Sequence, residues 1–220
     1  MVELDAETSH HIAQVLRMRV GEELHLTDGA GRLVLGRLTS VTKRVCHVSV
    51  EQSTSHHPAG RRVHMAIAPL KNNSRYEWFF EKATELGVAS IIPIQTARTE
   101  KLRLRMDRLR QIARSAMLQS QQAWLPEFPD AIPFTDLIRS WKDRGFQRLI
   151  AHCLPTSREP LSACGLSEEV GLLIGPEGDF TTEEIDAALA AGFTAVQLGD
   201  TRLRTETAGI AAVTLLRLRN

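Results

Sequence analysis

The sequence has no apolar run that approaches the roughly 18 residues of a membrane-spanning helix. Its first residues also lack the basic and then apolar pattern of a secretory signal peptide. Hydrophobic residues nevertheless make up 43% of the 220 residues, which is enough to form buried cores in a small and a larger domain. These features predict a globular, cytoplasmic protein.

Cysteine is scarce as well. The three cysteines, at positions 46, 153 and 164, are odd in number and far apart, so they predict neither a disulfide framework nor a paired metal motif. The eight histidines include the adjacent pairs His10-His11 and His56-His57, and no two stand at the i, i+4 spacing of helical zinc sites. The sequence therefore predicts no metal.

The chain also lacks a large excess of one charge. Its formal net charge of +1 is not that of a general nucleic-acid coat protein. Basic residues are nevertheless concentrated between positions 98 and 114, where they are Arg98, Lys101, Arg103, Arg105, Arg108, Arg110 and Arg114. Such a stretch could follow nucleic-acid phosphates or could be an ordinary solvated helix face, and the pattern leaves both interpretations open.

The first quarter of the chain is predicted to be rich in β-structure. Strands are expected at 23–27 and 32–38, on either side of an Asp-Gly-Ala-Gly turn, and an alternating apolar pattern predicts a third strand at 44–51. Residues 10–17 are expected to form one short helix. The segment 53–60, which contains His, Ser, Thr, Pro and Gly, is the best candidate for a linker, so we place the domains at 1–56 and 61–220.

The remainder of the chain alternates between strand and helix patterns. Strands are expected at 63–68, 88–94, 147–153, 170–174 and 194–198, and helices at 74–86, 104–123, 135–142, 181–191 and 206–219. A capping box is expected at 74–77 and a second one at 181–184. This alternation predicts a parallel sheet of five or six strands that is covered by helices.

Two glycine-containing loops stand out near the C-terminus, and each follows an apolar strand and precedes a helix. Because Gly175, Gly178 and Gly199 have no Cβ, the backbone there can turn sharply and lie against a ligand. Either loop alone is more often an ordinary turn, but the two together predict one binding site. The last helix is apolar on most sides, so it is expected to be buried in the chain or against a second copy.

These loops also carry a family resemblance. Leu-Ile-Gly-Pro-Glu-Gly at 173–178, followed by Leu-Gly-x-x-x-Leu-Arg-x-Glu-Thr-Ala at 198–208, resembles the paired C-terminal signatures of the SPOUT-class RNA methyltransferases. The resemblance is strongest to the family that methylates uracil N3 in 16S ribosomal RNA. It extends to Lys71, to Glu-Leu-Gly-Val at 85–88 and to His-His-Ile at 10–12, and therefore covers nearly the whole chain.

The resemblance implies a fold and a cofactor. The expected fold is a small PUA-like RNA-binding β-barrel, followed by a parallel-sheet α/β domain of SPOUT type with a deep trefoil knot. The expected methyl donor is S-adenosyl-L-methionine, held largely by backbone groups of the two loops. The residues expected to bind it are Ile174, Gly175, Pro176, Glu177, Gly178, Leu198, Gly199, Leu203, Arg204, Thr205, Thr207 and Ala208.

It also implies roles for individual side chains. Arg204 is expected to stabilise the developing uracil anion, and Glu206 either to accept a proton or to hold Arg204 by a charge-assisted hydrogen bond. A purely structural role for Glu206 is an equal alternative. The expected partner is 16S ribosomal RNA or the small ribosomal subunit, bound by a homodimer. The residues expected to contact RNA are His10, Arg17, Arg19, Lys71, Arg98, Arg103 and Arg105.

The chain departs from the family pattern at several positions. Asp179 replaces a second glycine after the Gly-Pro-Glu-Gly motif, and Asp tolerates left-handed backbone better than most residues. Leu118 and Gln122 replace a Glu and an Arg of relatives. At the N-terminus we expect either that the first barrel strand is shortened or that the start of the sequence is truncated. These departures leave two alternatives open: a non-catalytic RNA-binding or ribosome-assembly protein with a degenerate donor pocket, and a methyltransferase with another RNA target. His152 is expected to be a core or loop residue, with a place in the donor pocket as the alternative.

Overall fold

The computed structural model describes residues 1–100, 104–155 and 157–219. The chain divides into two compact units, Met1–Pro58 and Ala59–Asn220. Within the described residues, no helix has the length and apolar character needed to cross a bilayer. The same part of the chain contains no group of three or more potential metal ligands.

The first unit is a four-stranded antiparallel sheet with one helix. Its strand order is β1-β4-β3-β2, and the strands are β1 (Val2–Glu3), β2 (Glu23–Thr27), β3 (Arg32–Val41) and β4 (Cys46–Ser55). Ile12, Leu38, Cys46 and Val48 form its small core. The predicted strands are present. Strand β4 runs to Ser55, so the first residues of the predicted linker belong to a strand.

The helix of this unit begins earlier than the sequence predicted. Helix α1 spans Ala6–His10, and a π-helical segment, His11–Leu16, continues it. Asp5 caps the helix, because its side chain accepts a hydrogen bond of 2.8 Å from the Thr8 backbone amide. The prediction of a helix over 10–17 missed this cap and therefore the first turn.

The second unit is built on a seven-stranded, wholly parallel sheet. The strand order is β7-β6-β5-β10-β8-β11-β9. The strands are β5 (Arg62–Ile67), β6 (Ser90–Gln95), β7 (Ile132–Pro133), β8 (Gln147–Ala151), β9 (Glu159–Pro160), β10 (Glu169–Ile174) and β11 (Thr194–Gln197). The five longer strands are those predicted. The two-residue strands at the edges, β7 and β9, were not predicted.

Helices cover both faces of this sheet. They are α2 (Asn73–Glu85), α3 (Met106–Gln119), α4 (Phe134–Lys142), α5 (Thr182–Ala190) and α6 (Thr205–Leu218). Helices α2, α3 and α6 share one buried cluster, and α4 and α5 share the other. Strand β5 contributes to both, with Met65 on one face and Ala66 on the other. The predicted fold class, a parallel α/β domain after a small β-rich domain, is confirmed.

Two helix boundaries differ from the prediction. Helix α2 is capped by Asn72, whose side chain accepts from the Ser74 and Arg75 amides, so the predicted capping box at Ser74 is wrong. Helix α3 was expected over 104–123 but is shorter at both ends. The capping box of α5 is present as predicted, since the side chains of Thr181 and Glu184 each accept from the other residue's backbone amide.

Arginine side chains fasten the end of α6 to the rest of the second unit. The Arg219 guanidinium donates to the carbonyls of Leu161 and Cys164, at 2.7 Å each. The Arg61 guanidinium donates to the carbonyls of Ser167 and Arg219, at 2.7 and 2.8 Å. These bonds hold the C-terminal end of α6 against the 161–167 segment.

Candidate functional site

The two glycine-containing loops meet at one edge of the parallel sheet. Strands β10 and β11 both pair with β8, so their carboxyl ends lie on either side of its carboxyl end. Ligand sites of open parallel sheets lie outside the carboxyl ends of the strands. The loops after these three strands enclose a cleft of about 250 Å³.

The cleft contains most of the residues that the sequence predicted for a cofactor site. Of these, Ile174, Gly175, Pro176, Glu177, Leu198, Gly199, Leu203, Arg204, Thr205 and Ala208 line it. Gly178 and Thr207 are exposed and are not among its lining residues. Residues that the prediction omitted also line the cleft, namely Ala151, His152, Cys153, Arg158, Asp179, Val196, Gln197, Thr201 and Arg202.

The loop after β10 is shaped by close packing and by Asp179. A Cβ on Gly175 would lie 3.1 Å from both the ring and the backbone nitrogen of Phe180, which is tighter than an ordinary contact. Asp179 adopts a left-handed conformation with φ of 65°, as expected for a residue in a glycine position. Its carboxylate accepts hydrogen bonds from the amides of Cys153, at 2.7 Å, and Phe180, at 2.8 Å. Asp179 therefore joins the loop after β10 to the loop after β8.

Basic residues support the outer side of this loop. The Arg98 guanidinium donates to the carbonyls of Gly178, at 2.6 Å, and Phe180, at 3.4 Å. Glu177 accepts a hydrogen bond of 3.3 Å from the Lys71 amide. Arg98 therefore has a structural contact beside the cleft that the sequence pattern did not reveal.

The loop after β11 is more open. Gly199 has φ of 151°, and an added Cβ would meet no atom within 4 Å, so this stretch of backbone borders free space. Arg204 follows as the cap of α6, in an extended conformation, and its exposed side chain makes no hydrogen bond or ion pair within the described residues. The Arg204 guanidinium is therefore available to a ligand in the cleft.

Glu206 lies in a different environment from Arg204. It is only 7% exposed, is not among the lining residues, and its carboxylate lies 3.7 Å from the Arg75 guanidinium of α2. The predicted hydrogen bond between Glu206 and Arg204 is not formed. The reason is that α6 turns Glu206 toward α2 while its cap leaves Arg204 at the cleft.

His152 occupies the cleft wall directly after β8. It is 4% exposed, and within the described part of the chain neither ring nitrogen has a hydrogen-bond partner. The Arg158 guanidinium donates to the His152 carbonyl at 2.5 Å, while its buried Nε is also unpaired there. Burial lowers the pKa of His152, the Arg158 charge adds to this, and Asp179 opposes it. His152 therefore lines the cleft, which was the alternative to the core or loop position predicted for it.

Apart from Arg98, whose contacts are given above, the residues predicted to contact RNA fall into three groups. His10, Arg17 and Arg19 are exposed on the first unit, with Arg17 in a left-handed conformation after the helix. Lys71 pairs with Glu100 at 2.6 Å, which raises the lysine pKa, and Arg105 pairs with Glu77 at 3.1 Å. Arg103 lies outside the described residues.

Two of the departures from the family pattern have distinct surroundings. Gln122 donates to the carbonyls of Thr84 and Glu85, at 2.8 and 2.9 Å, and so satisfies the C-terminal end of α2. Leu118 is 59% exposed on α3. Gln122 therefore has a structural contact of its own, whereas Leu118 presents an apolar side chain to solvent.

Comparison with known proteins identifies the family. The sequence model described as RNA methyltransferase domain matches residues 57–217, and the one described as RNA methyltransferase PUA domain matches residues 4–51. The chain is 31% identical to a Synechocystis protein named ribosomal RNA small subunit methyltransferase E, over 96% of this chain and 71% of that protein. A Mycobacterium tuberculosis protein of the same name is also 31% identical, over 96% and 83%.

Solved structures agree with this result. A probable rRNA-methyltransferase from Porphyromonas gingivalis has a TM-score of 0.90 and 38% identity, over 99% of this chain and 94% of that one. A ribosomal RNA small subunit methyltransferase E from Neisseria gonorrhoeae, bound to S-adenosyl methionine, has a TM-score of 0.85 and 27% identity, over 99% and 91%. The chain therefore belongs to the RNA methyltransferase family that includes these ribosomal RNA small subunit methyltransferases.

Proposed function

We propose that this protein transfers a methyl group from S-adenosyl-L-methionine to N3 of a uracil in 16S ribosomal RNA. The observation that carries the proposal is the convergence of the two glycine loops on one cleft, with Arg204 at its edge. The relatives named above as small subunit methyltransferases, one of them with S-adenosyl methionine bound, support the same reaction. They favour it over a non-catalytic assembly protein.

The cleft fits such a donor. Backbone groups of Leu198, Gly199 and Leu203 are proposed to bind the adenine, and the open space at Gly199 leaves room for a flat ring against the backbone. The methionine end is proposed to lie toward the loop after β10, near Gly175 and Glu177. When bound, S-adenosylmethionine supplies a methyl group on a sulfonium centre.

Arg204 is the proposed catalytic residue. N3 of uracil must lose its proton before it attacks the methyl group, so negative charge develops on the ring. A guanidinium held near O2 or O4 stabilises that charge, and Arg204 is suited to the task because no described carboxylate neutralises it. Glu206 is buried in its ion pair with Arg75, so we propose that it positions the first turn of α6. The geometry gives no support to Glu206 as the proton acceptor.

The basic residues are proposed to hold the RNA. His10, Arg17 and Arg19 would do so on the PUA-like unit, and Lys71, Arg98 and Arg105 on the methyltransferase unit, with Arg103 in the same stretch. The Lys71–Glu100 pair is exposed, as is the Arg105 side chain in its pair with Glu77, and ion pairs at such positions contribute little to stability. Phosphates can therefore replace these carboxylates at low cost.

A homodimer in the cytoplasm is the proposed working form. Helix α6 leaves apolar side chains only partly covered, among them Ile210 and Leu215, and Leu218 is 70% exposed. A second copy would cover such a surface. Light scattering at micromolar concentration is expected to give twice the mass of the chain, and a monomer there would contradict this part of the proposal.

The catalytic assignment is tested with Arg204→Ala. Loss of one charge-stabilising donor typically lowers turnover by about 10²–10³-fold, and we expect this decrease on small ribosomal subunits from cells that lack the gene. Calorimetry should find S-adenosylmethionine affinity changed no more than a few-fold. The control is Arg139→Ala, an exposed arginine of α4 whose pairing with Asp136 is also exposed. Unchanged methylation by Arg204→Ala would contradict the assignment, and mass mapping of the RNA identifies the modified nucleotide.

A further inference from the structure

The loop between β10 and α5 has different neighbours on its two sides. Its inner side lines the cleft, with Gly175 and Glu177 among the lining residues. On its outer side, the carbonyls of Gly178 and Phe180 accept hydrogen bonds from Nη1 of Arg98, at 2.6 and 3.4 Å. Arg98 itself is not among the lining residues. The loop therefore lies between the cleft and an arginine outside it.

The residues next to this arginine are fastened to the same region. The Ala97 amide donates to the carboxylate of Glu184 in α5 at 2.7 Å. The Lys71 ammonium pairs with Glu100 at 2.6 Å, while the Lys71 amide donates to Glu177 at 3.3 Å. These bonds connect the segment after β6 to the loop after β10 on both sides of the arginine, so a change in the position of one is transmitted to the other.

Part of the Arg98 guanidinium is left unused by these contacts. Both of its hydrogen bonds come from Nη1, and within the described residues Nε and Nη2 form no hydrogen bond or ion pair. Arg98 is exposed, so the remaining N–H groups are available to a ligand. A guanidinium has donors on all its nitrogens, in a planar fork that fits the oxygens of a phosphate.

The charges around Arg98 favour an anion at this position. Hydrogen bonds from its own backbone amide and from Thr181 lower the pKa of Glu183, and the Arg98 charge adds to them. Glu183 and Arg98 form no ion pair in the described part of the chain, so the arginine is not neutralised. Arg98 also begins the basic stretch 98–114, whose other described arginines are all exposed. A series of exposed cations fits a polyanion better than a single small anion.

We propose that the exposed side of Arg98 binds a phosphate of the RNA substrate, and that this contact couples RNA binding to donor binding through the loop after β10. The inference rests on the proposed function, because RNA and S-adenosylmethionine are its two ligands. A phosphate on Nε and Nη2 fixes the guanidinium, which then holds the Gly178 carbonyl and the loop in place. Arg98 is therefore a positioning residue for the donor. Coupling between two sites is reciprocal, so the donor strengthens RNA binding by the same factor.

The coupling is tested by equilibrium dialysis of labelled S-adenosylhomocysteine, which has no methyl group to transfer. Its affinity is measured with and without small ribosomal subunits from cells that lack the gene. Coupled sites typically change each other's affinity by about 5- to 150-fold, and we expect the subunits to strengthen binding to the unaltered protein at the lower end of this range. In Arg98→Ala the subunits should no longer change the affinity, and binding without them should weaken only a few-fold.

Two further variants separate the coupling from charge alone. Loss of a phosphate contact lowers the salt dependence of RNA binding by about one unit of slope, and we expect this for Arg98→Ala. Arg98→Lys keeps the charge but not the planar fork, so it should keep the salt dependence and lose most of the coupling. Arg105→Ala is the matched control: it removes another proposed RNA contact, paired with Glu77 and not with the loop. It should weaken subunit binding and leave the coupling intact.

The remaining outcomes decide against the inference. Coupling that persists unchanged in Arg98→Ala would overturn it, as would equal loss of coupling in Arg105→Ala or the absence of coupling in the unaltered protein. In these cases the unaltered protein still binds both ligands, so the proposed function stands. An unaltered protein that does not bind S-adenosylhomocysteine at all would overturn the proposed function together with the inference. Circular dichroism verifies that each variant is folded.

Discussion

Gly209 provides a direct test of how α6 is held. Its backbone lies so close to α2 and β5 that a Cβ at this position would be 2.5 Å from Cε2 of Phe79 and 3.1 Å from Cδ1 of Ile67. Ordinary contacts of this kind begin near 3.4 Å. Gly209→Ala therefore forces α6 and the buried Phe79 ring apart by roughly an ångström, a displacement that a densely packed core resists.

The expected cost follows from two opposing effects. Extra methyl groups in a packed core typically cost about 1–3 kcal/mol, whereas alanine in a helix is favoured over glycine by about 0.5–1 kcal/mol. The difference between the two effects spans about 0–2.5 kcal/mol, and its central value is a net destabilisation of about 1 kcal/mol. For a domain of this size, each kcal/mol lowers the melting temperature by about 2–4 °C, so we expect a decrease of about 2–4 °C at the central value.

Tryptophan fluorescence is the appropriate assay. Trp78, Trp124 and Trp141 all lie in the unit Ala59–Asn220, so their emission follows the unfolding of that unit alone. The control is Gly145→Ala, because a Cβ there would meet no atom within 4 Å. If Gly209→Ala melts at or above the temperature of the unaltered protein, the close packing of α6 on α2 is refuted.

Two further predictions concern the surroundings of the cleft. Asp179→Gly relieves the left-handed backbone but leaves the amides of Cys153 and Phe180 without their acceptor, so we expect several-fold weaker S-adenosylmethionine binding by calorimetry. Equal or tighter binding would show that Asp179 does not join the two loops. Arg75→Met leaves the buried Glu206 carboxylate without its partner and should destabilise the protein by about 1–3 kcal/mol in urea unfolding. Adding Glu206→Gln should recover part of this loss, and strictly additive effects would contradict the ion pair.

The order of the main elements could be predicted because it depends on local signals. Apolar periodicity, turn residues and helix caps act within a few positions, and they located the five longer strands and all the helices of the second unit. The edge strands β7 and β9 could not be predicted, because two residues carry no pattern and become strands only by pairing with β6 and β11. The predicted start of α2 was wrong because Asn72 and Ser74 are both good capping residues. The helix uses the earlier one, Asn72, and is therefore longer at its N-terminal end.

The site was predictable to the extent that backbone geometry determines it. A loop that needs glycine can be recognised locally, and the two loops do meet in one cleft. The partners of charged side chains were not predictable, because they come from distant parts of the chain. Glu206 pairs with Arg75 on α2, and Arg98 bonds to carbonyls of the loop after β10. The position of His152 in the cleft wall was not the favoured prediction, because the burial and pairing of its ring depend on residues that are distant in the sequence.

The first turn of α6 combines a fixed backbone with a free side chain. Thr205 and Glu206 are buried, Glu206 is held by Arg75, and Gly209 is pressed against Phe79, so the helix cannot slide along its neighbours. Arg204 stands one residue before this anchored turn, and its guanidinium is exposed and unpaired within the described residues. A positive charge that stabilises an anion formed only during the reaction is best attached to such a fixed backbone. The protein then has little to reorganise when the anion forms. The buried contacts of Glu206 and Gly209 therefore contribute to the proposed catalysis, although neither residue lines the cleft.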